Sequence, residues 1–133
     1  MRIGIVGSRS FSNFDLMERH ILSAPTLTGQ DIKAIVTGGA QGADSLAIEL
    51  ARKYKWKSIE YLPMWDKFPG KSASYHRNKL IVENSDIVFA FWNGKSRGTK
   101  MTIDICHELN TPCIVTMFRE TVPTKEEVKK WNS

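Results

Sequence analysis

Cysteine is scarce in this chain: Cys106 and Cys113, separated by six residues, are the only two among 133. A pair this sparse is no disulfide framework, and both thiols are expected to stay reduced. No apolar run approaches the roughly 20 residues needed to cross a bilayer. The opening MRIGIVGSRS carries one Arg, then a short apolar stretch broken by Ser8 and Arg9. That stretch is briefer than the central region of a signal peptide, so a cytoplasmic protein without membrane association is expected. His76 and His107 have no companions at ligand spacing, and Cys106, His107 and Cys113 form an incomplete set, so neither a metal nor a bound cofactor is expected. No Ser-His-Asp arrangement can be argued. Linkers, internal repeats and low-complexity segments are missing as well. A single domain over residues 1–133 is expected, with a core over about 1–117 and a helical extension over about 121–133.

What remains is a chain with 41% hydrophobic residues, enough for a real core, and a net charge of +5. The charge favours an anionic partner, a nucleotide or a nucleic acid. Lys and Arg are spread along the sequence without a compact cluster. Apolar runs at Ile3–Val6, Ile32–Val36, Ser58–Leu62, Ile87–Trp92 and Cys113–Phe118 alternate with segments long enough for helical crossovers. This rhythm predicts an α/β fold: one Rossmann-like domain with a mostly parallel five-stranded sheet and helices on both faces. After the second run, Ala43, Leu46, Ala47, Leu50, Ala51 and Tyr54 fall on one helical stripe, with Glu49 and Lys53 expected to pair on its outer surface. Pro123 and a capping box from Thr124 to Glu127 predict a short last helix with Val128 and Trp131 on one side.

In an open parallel sheet, ligands sit at the carboxyl ends of the strands, near the point where strand order reverses. Three loops there carry glycine and hydrogen-bonding groups. They are Gly7-Ser8-Arg9, the turn Gly38-Gly39-Ala40-Gln41-Gly42, and the run from Asn93 and Gly94 to Gly98 and Thr99. Each alone reads equally as a plain strand-to-helix turn. Together, with helix N-termini following them, they predict a crevice suited to phosphate. The second turn is neither a Walker loop, since no Lys follows Gly42, nor a dinucleotide fingerprint, since it lacks the GxG start. Asp44 reads either as an ordinary first-turn acid or as a ribose or ligand contact.

The segment SASYHRNKLIVEN places Arg77 inside an apolar stripe with Ala73, Leu80 and Ile81. A cation there is either a structural ion pair or a guanidinium turned into the crevice to hold a phosphate or carboxylate, and the second reading is preferred. Asn78 beside it either assists or is exposed. Trp65 and Trp92 lie past the third strand and at the end of the fourth, positions from which an indole stacks on a base or simply packs. Ser8 is a candidate hydroxyl for phosphate.

The ordered set GSRSF, TGGAQGAD, the spaced W…GKSASYHRN and FWNGKSRGT resembles the YspA-type branch of the SLOG superfamily over about residues 1–117. The resemblance implies a Rossmann-like fold and a site for a nucleotide or nucleotide-derived ligand. Gly7, Ser8, Arg9, Gly39, Gly42, Asp44, Arg77, Asn78, Gly94, Gly98 and Thr99 match its motif positions. Related branches differ in activity. The LOG phosphoribohydrolases are similar through Arg77 and the glycine loop before Thr99, but their motif continues into catalytic acids, where this chain has Lys100, Met101 and Thr102. DNA-processing proteins of the DprA type are similar through GSR and GGAQGAD and bind single-stranded DNA.

The expectation is therefore a protein that binds a nucleotide-type small molecule, with single-stranded DNA binding or N-glycosidic hydrolysis of a nucleotide as alternatives. Asn93 or a tryptophan is expected to meet base or ribose. A homo-oligomer is compatible with the sequence.

Overall fold

The computed structural model describes residues 1–119; the expected last helix lies outside them. Ten elements follow in order: β1 (Arg2–Gly7), α1 (Phe14–Leu22), α2 (Ala24–Thr28), β2 (Ala34–Thr37), α3 (Ala43–Tyr54), β3 (Lys57–Glu60), α4 (Lys71–Glu83), β4 (Ile87–Trp92), α5 (Arg97–Glu108) and β5 (Cys113–Met117). The strands form one all-parallel sheet in the order β3-β2-β1-β4-β5. Strand order therefore reverses between β1 and β4. β2 and β4 are buried almost throughout, as their uninterrupted apolar runs demand when helices cover both faces.

Side chains alternate across the sheet and feed two cores. Ile3, Ile5, Ile35, Phe89 and Phe91 meet α1, α2 and α3 on one face, while Val6, Val36, Val88 and Ala90 meet α4 and α5 on the other. The helix α3 lies close to β1 because its inner face is small: Ala43, Ala47 and Ala51 are all buried. Gly7 makes the matching concession on the strand, since a Cβ there would come within 2.7 Å of the Ala43 Cβ.

Two boundaries and one ion pair differ from expectation. β2 begins at Ala34, with Ile32 packing on the core from the approach to the strand. β3 stops at Glu60, so Leu62 is an exposed loop residue; apolar character extended the sequence pattern past the last paired backbone. Lys53 pairs with Glu18 of α1 and not with Glu49. Tyr54 Oη also donates to Glu18, at 2.8 Å, so α1 and α3 are tied side by side. Periodicity along one helix cannot show which neighbouring helix will offer a nearer carboxylate. Cys106 and Cys113 are free thiols. No described helix is long and apolar enough to cross a membrane.

Leu50 is fully buried where α3 meets the sheet. Leu50→Ala is expected to lower unfolding free energy by about 2–5 kcal/mol, checked by urea denaturation with unchanged m-value.

Candidate functional site

A crevice of about 510 Å³ opens at the carboxyl ends of β1 and β4, where the strand order reverses. Three loops and three helices build it. β1 runs into Gly7, Ser8, Arg9 and Ser10; the β2 turn and α3 bring Ala40 and Asp44; α4 brings Ser74, Arg77 and Asn78; the end of β4 and α5 bring Asn93, Ser96, Gly98 and Thr99.

The glycine-rich turn serves the protein's own chain first. Arg77 Nη1 donates to the carbonyl of Gly38 at 3.0 Å, and a Cβ on Gly38 would sit 2.7 Å from that same nitrogen. Only glycine lets the guanidinium lie so flat on the turn. Gly42 has φ +77°, and a Cβ there would come within 2.5 Å of the Ser8 carbonyl oxygen, so this glycine permits the β1 and β2 loops to touch. Asp44, in the first turn of α3, is 7% exposed and its Oδ2 accepts from the Ala40 N–H at 3.1 Å. Burial raises its pKa above the usual aspartate value, against the opposing pull of the Ala40 N–H and of the Arg77 charge. Of the N–H groups at the start of α3, that of Ala43 is engaged by the Ser8 carbonyl at 3.4 Å, while the Asp44 carboxylate takes the Ala40 N–H of the preceding turn.

Arg77 is half-buried, as its place in an apolar stripe predicts. Its Nε donates to Asn78 Oδ1 at 2.7 Å. Nη2 has no hydrogen-bond partner among the described residues. Burial lowers the Arg77 pKa; Asp44 opposes that shift and the neighbouring Arg9 adds to it. A guanidinium remains charged under such conditions, so the crevice holds cationic groups on two separate elements. Asn78 is buried and braces Arg77, which decides between the two readings of its sequence position.

The second polar wall is the start of α5. Ser96 caps it, its Oγ accepting from the Thr99 N–H at 3.4 Å and from the Thr99 hydroxyl at 3.0 Å. Gly98 lines the crevice with open space where a side chain would be. The positive end of this twelve-residue helix therefore faces the same space as Arg77.

Several expected ligand groups also bond within the protein's own loops. The Ser8 Oγ accepts from the Asn93 N–H at 3.1 Å, joining the β1 and β4 loops. Asn93 Oδ1 accepts from the N–H groups of Lys95 and Ser96, both at 2.8 Å, and so shapes the turn into α5. Trp92 Nε1 donates to the Ser96 carbonyl at 3.0 Å, bracing the cap. Gly38, Gly39, Gly42, Gly94, Trp65 and Trp92 do not line the crevice, whereas Gly7, Ser8, Arg9, Asp44, Arg77, Asn78, Asn93, Gly98 and Thr99 do. Trp65 is 61% exposed on the loop after β3.

Ser10, Ser74, Ser96 and Thr102 also line it and were not anticipated. Ser96 was legible as a helix N-cap three residues before Thr99, and Ser74 as a residue one turn before Asn78 on the face of Arg77. Among the described residues no group of three or more His, Cys, Asp or Glu is placed to hold a metal. Among the described residues, Asp44 is the only carboxylate lining the crevice. Asp104 lies elsewhere on α5, paired with Lys100 at 3.1 Å.

Asp44 carries a measurable signature. Between the ordinary aspartate pKa of about 3.9 and its raised native value, the folded protein keeps a proton that the unfolded chain has released. Its contribution to stability therefore falls as pH rises across that window and is constant above it. Urea unfolding at a series of pH values is expected to show Asp44→Asn gaining on wild type through the window. A pH-independent difference would assign Asp44 an ordinary native pKa.

No protein-family model matches this sequence, and no curated protein does. Solved structures do match. DNA processing protein A from Helicobacter pylori, a protein that binds single-stranded DNA, superposes with a TM-score of 0.64 and 22% identity, over 100% of this chain and 74% of that one. DNA processing protein A from Streptococcus pneumoniae gives a TM-score of 0.69 and 20% identity, over 86% of this chain and 49% of its own. At such identity the likeness is one of fold: the chain has the Rossmann-like architecture seen in these DNA processing proteins.

Proposed function

We propose that the crevice binds the phosphate of a nucleotide-type ligand, in a single-domain cytoplasmic protein of the SLOG superfamily and its YspA-type branch. The observation that carries this is the half-buried Arg77, held flat on Gly38 and lining the same space as the N-terminus of α5. Arg9 adds a second cation, and Ser96, Thr99 and Ser74 add hydroxyls. A compact cavity of about 510 Å³ is within the usual range for a small ligand.

A second reading, single-stranded DNA binding, gains support beyond what composition suggested. The fold is shared with a single-stranded DNA-binding protein. Cations dispersed in sequence also share one end of the sheet, because Arg9, Lys67 and Lys95 lie in loops following β1, β3 and β4, and Lys71 and Arg97 open α4 and α5. A strand needs such a rim; a mononucleotide does not. Hydrolysis of a nucleotide has less support. Asp44 would have to serve as acid or base while its carboxylate is engaged by the turn, and Asp104 is committed to Lys100.

Arg77→Ala is expected to weaken phosphate-ligand binding by about 1.5–3 kcal/mol, and to lower thermal stability by less, in calorimetric titration at fixed salt. Equal affinities in variant and wild type would make Arg77 purely structural.

Titration of a mononucleotide and of oligonucleotides of increasing length, at several salt concentrations, separates the two readings. Small-ligand binding is expected to depend only modestly on salt. Strand binding would tighten with length, and log K would fall with log salt at roughly 0.7 per phosphate contacted. Release of a free base from the mononucleotide would establish the hydrolytic reading.

A further inference from the structure

The loop joining β3 to α4, residues 61–70, carries two exposed large apolar side chains at the carboxyl end of the sheet. Leu62 is 62% exposed and Trp65 is 61% exposed, although large apolar side chains normally seek cover. The loop is not loosely attached. Tyr61 N–H donates to the Thr37 carbonyl at 2.9 Å, and Lys67 and Phe68 N–H groups both donate to the Met64 carbonyl. The Phe68 ring stacks on His76 of α4 with centroids 3.8 Å apart. Pro63 and Pro69 restrict the backbone at either side. Anchored in this way, the loop presents Leu62 and Trp65 outward from a fixed frame.

Its position relative to the crevice follows from the sheet. Leu62 lies against the glycine-rich turn, its Cδ2 3.0 Å from where a Gly39 Cβ would be. β3 is two strands from β1, and neighbouring strands are about 4.8 Å apart, so the loop starts about 10 Å from the phosphate-suited end of β1. A nucleotide has the same division over a similar span: a charged phosphate at one end and a flat apolar base at the other. The crevice supplies cations, N–H groups and hydroxyls for the first, and among the described residues that line it none is aromatic to meet the second.

We propose that the β3–α4 loop is the nucleobase-facing wall of this site, with Trp65 providing the stacking surface and Leu62 its apolar flank. This rests on the phosphate-binding reading of the crevice. The base recognised belongs either to a free nucleotide or to a nucleic-acid strand; the stacking chemistry is the same for both.

The test is calorimetric titration of wild type, Trp65→Ala and Trp65→Phe with ribose 5-phosphate, adenosine 5′-monophosphate and an oligothymidylate. Trp65 is exposed, so its substitution is expected to leave the thermal melt unchanged. Wild type should bind a base-bearing ligand more tightly than ribose 5-phosphate. Trp65→Ala should lose about five- to hundredfold in affinity for that ligand, Trp65→Phe should keep most of it, and ribose 5-phosphate should bind all three alike. A loss confined to the mononucleotide identifies a free nucleotide as the source of the base, and a loss confined to the oligothymidylate identifies a strand. Undiminished binding of both base-bearing ligands by Trp65→Ala, with ribose 5-phosphate still bound, overturns the base wall and leaves the phosphate crevice standing. Failure of wild type to bind any of the three overturns the crevice reading together with it.

Discussion

The contact between Arg77 and Gly38 holds the site together. It joins the middle of α4 to the turn after β2, elements separated by 39 residues, through a bond to a carbonyl and a face-on approach that no side chain at Gly38 would allow. Asn78 fixes the other edge of the guanidinium. A half-buried charge needs partial compensation. The Gly38 carbonyl, the Asn78 amide oxygen and the nearby Asp44 carboxylate provide part of it. An anion in the crevice would provide more.

Asp44 sets the opposing condition. Its carboxylate orders the glycine-rich turn by accepting from Ala40, yet it puts an acid beside a site suited to anions. Its raised pKa expresses that conflict, since burial disfavours the charge more than the neighbouring N–H and Arg77 favour it. The site is therefore polarised, with the acid at the α3 side and the positive end of α5 across the reversal between β1 and β4.

Much of this was legible in the residues. The five apolar runs became the five strands within a few positions; for β2 and β4, a strand buried on both faces admits little else. Arg77 within an apolar stripe pointed to the crevice since helical periodicity fixes which side of α4 meets the sheet. The expected Glu49–Lys53 pair differs because the partner came from another element: Lys53 found Glu18 on α1. Ser8 likewise meets the Asn93 N–H, and Trp92 the Ser96 carbonyl. Hydrogen bonds between loops depend on distances that no local pattern encodes.

The residue pattern sufficed for the α/β class, the parallel pairing and the position of the three glycine-bearing loops after β1, β2 and β4, because hydrophobic period and turn chemistry are local properties of the chain. Strand order is not local. The placement of β4 beside β1 brought the first and fourth loops together and set Asp104 away from the crevice. It also gathered cations dispersed through the sequence at one end of the sheet. Which glycines would face a ligand and which would face the protein was decided in the same way. Packing turned Gly38 toward Arg77 and Gly42 toward Ser8, while Gly98 was left beside open space.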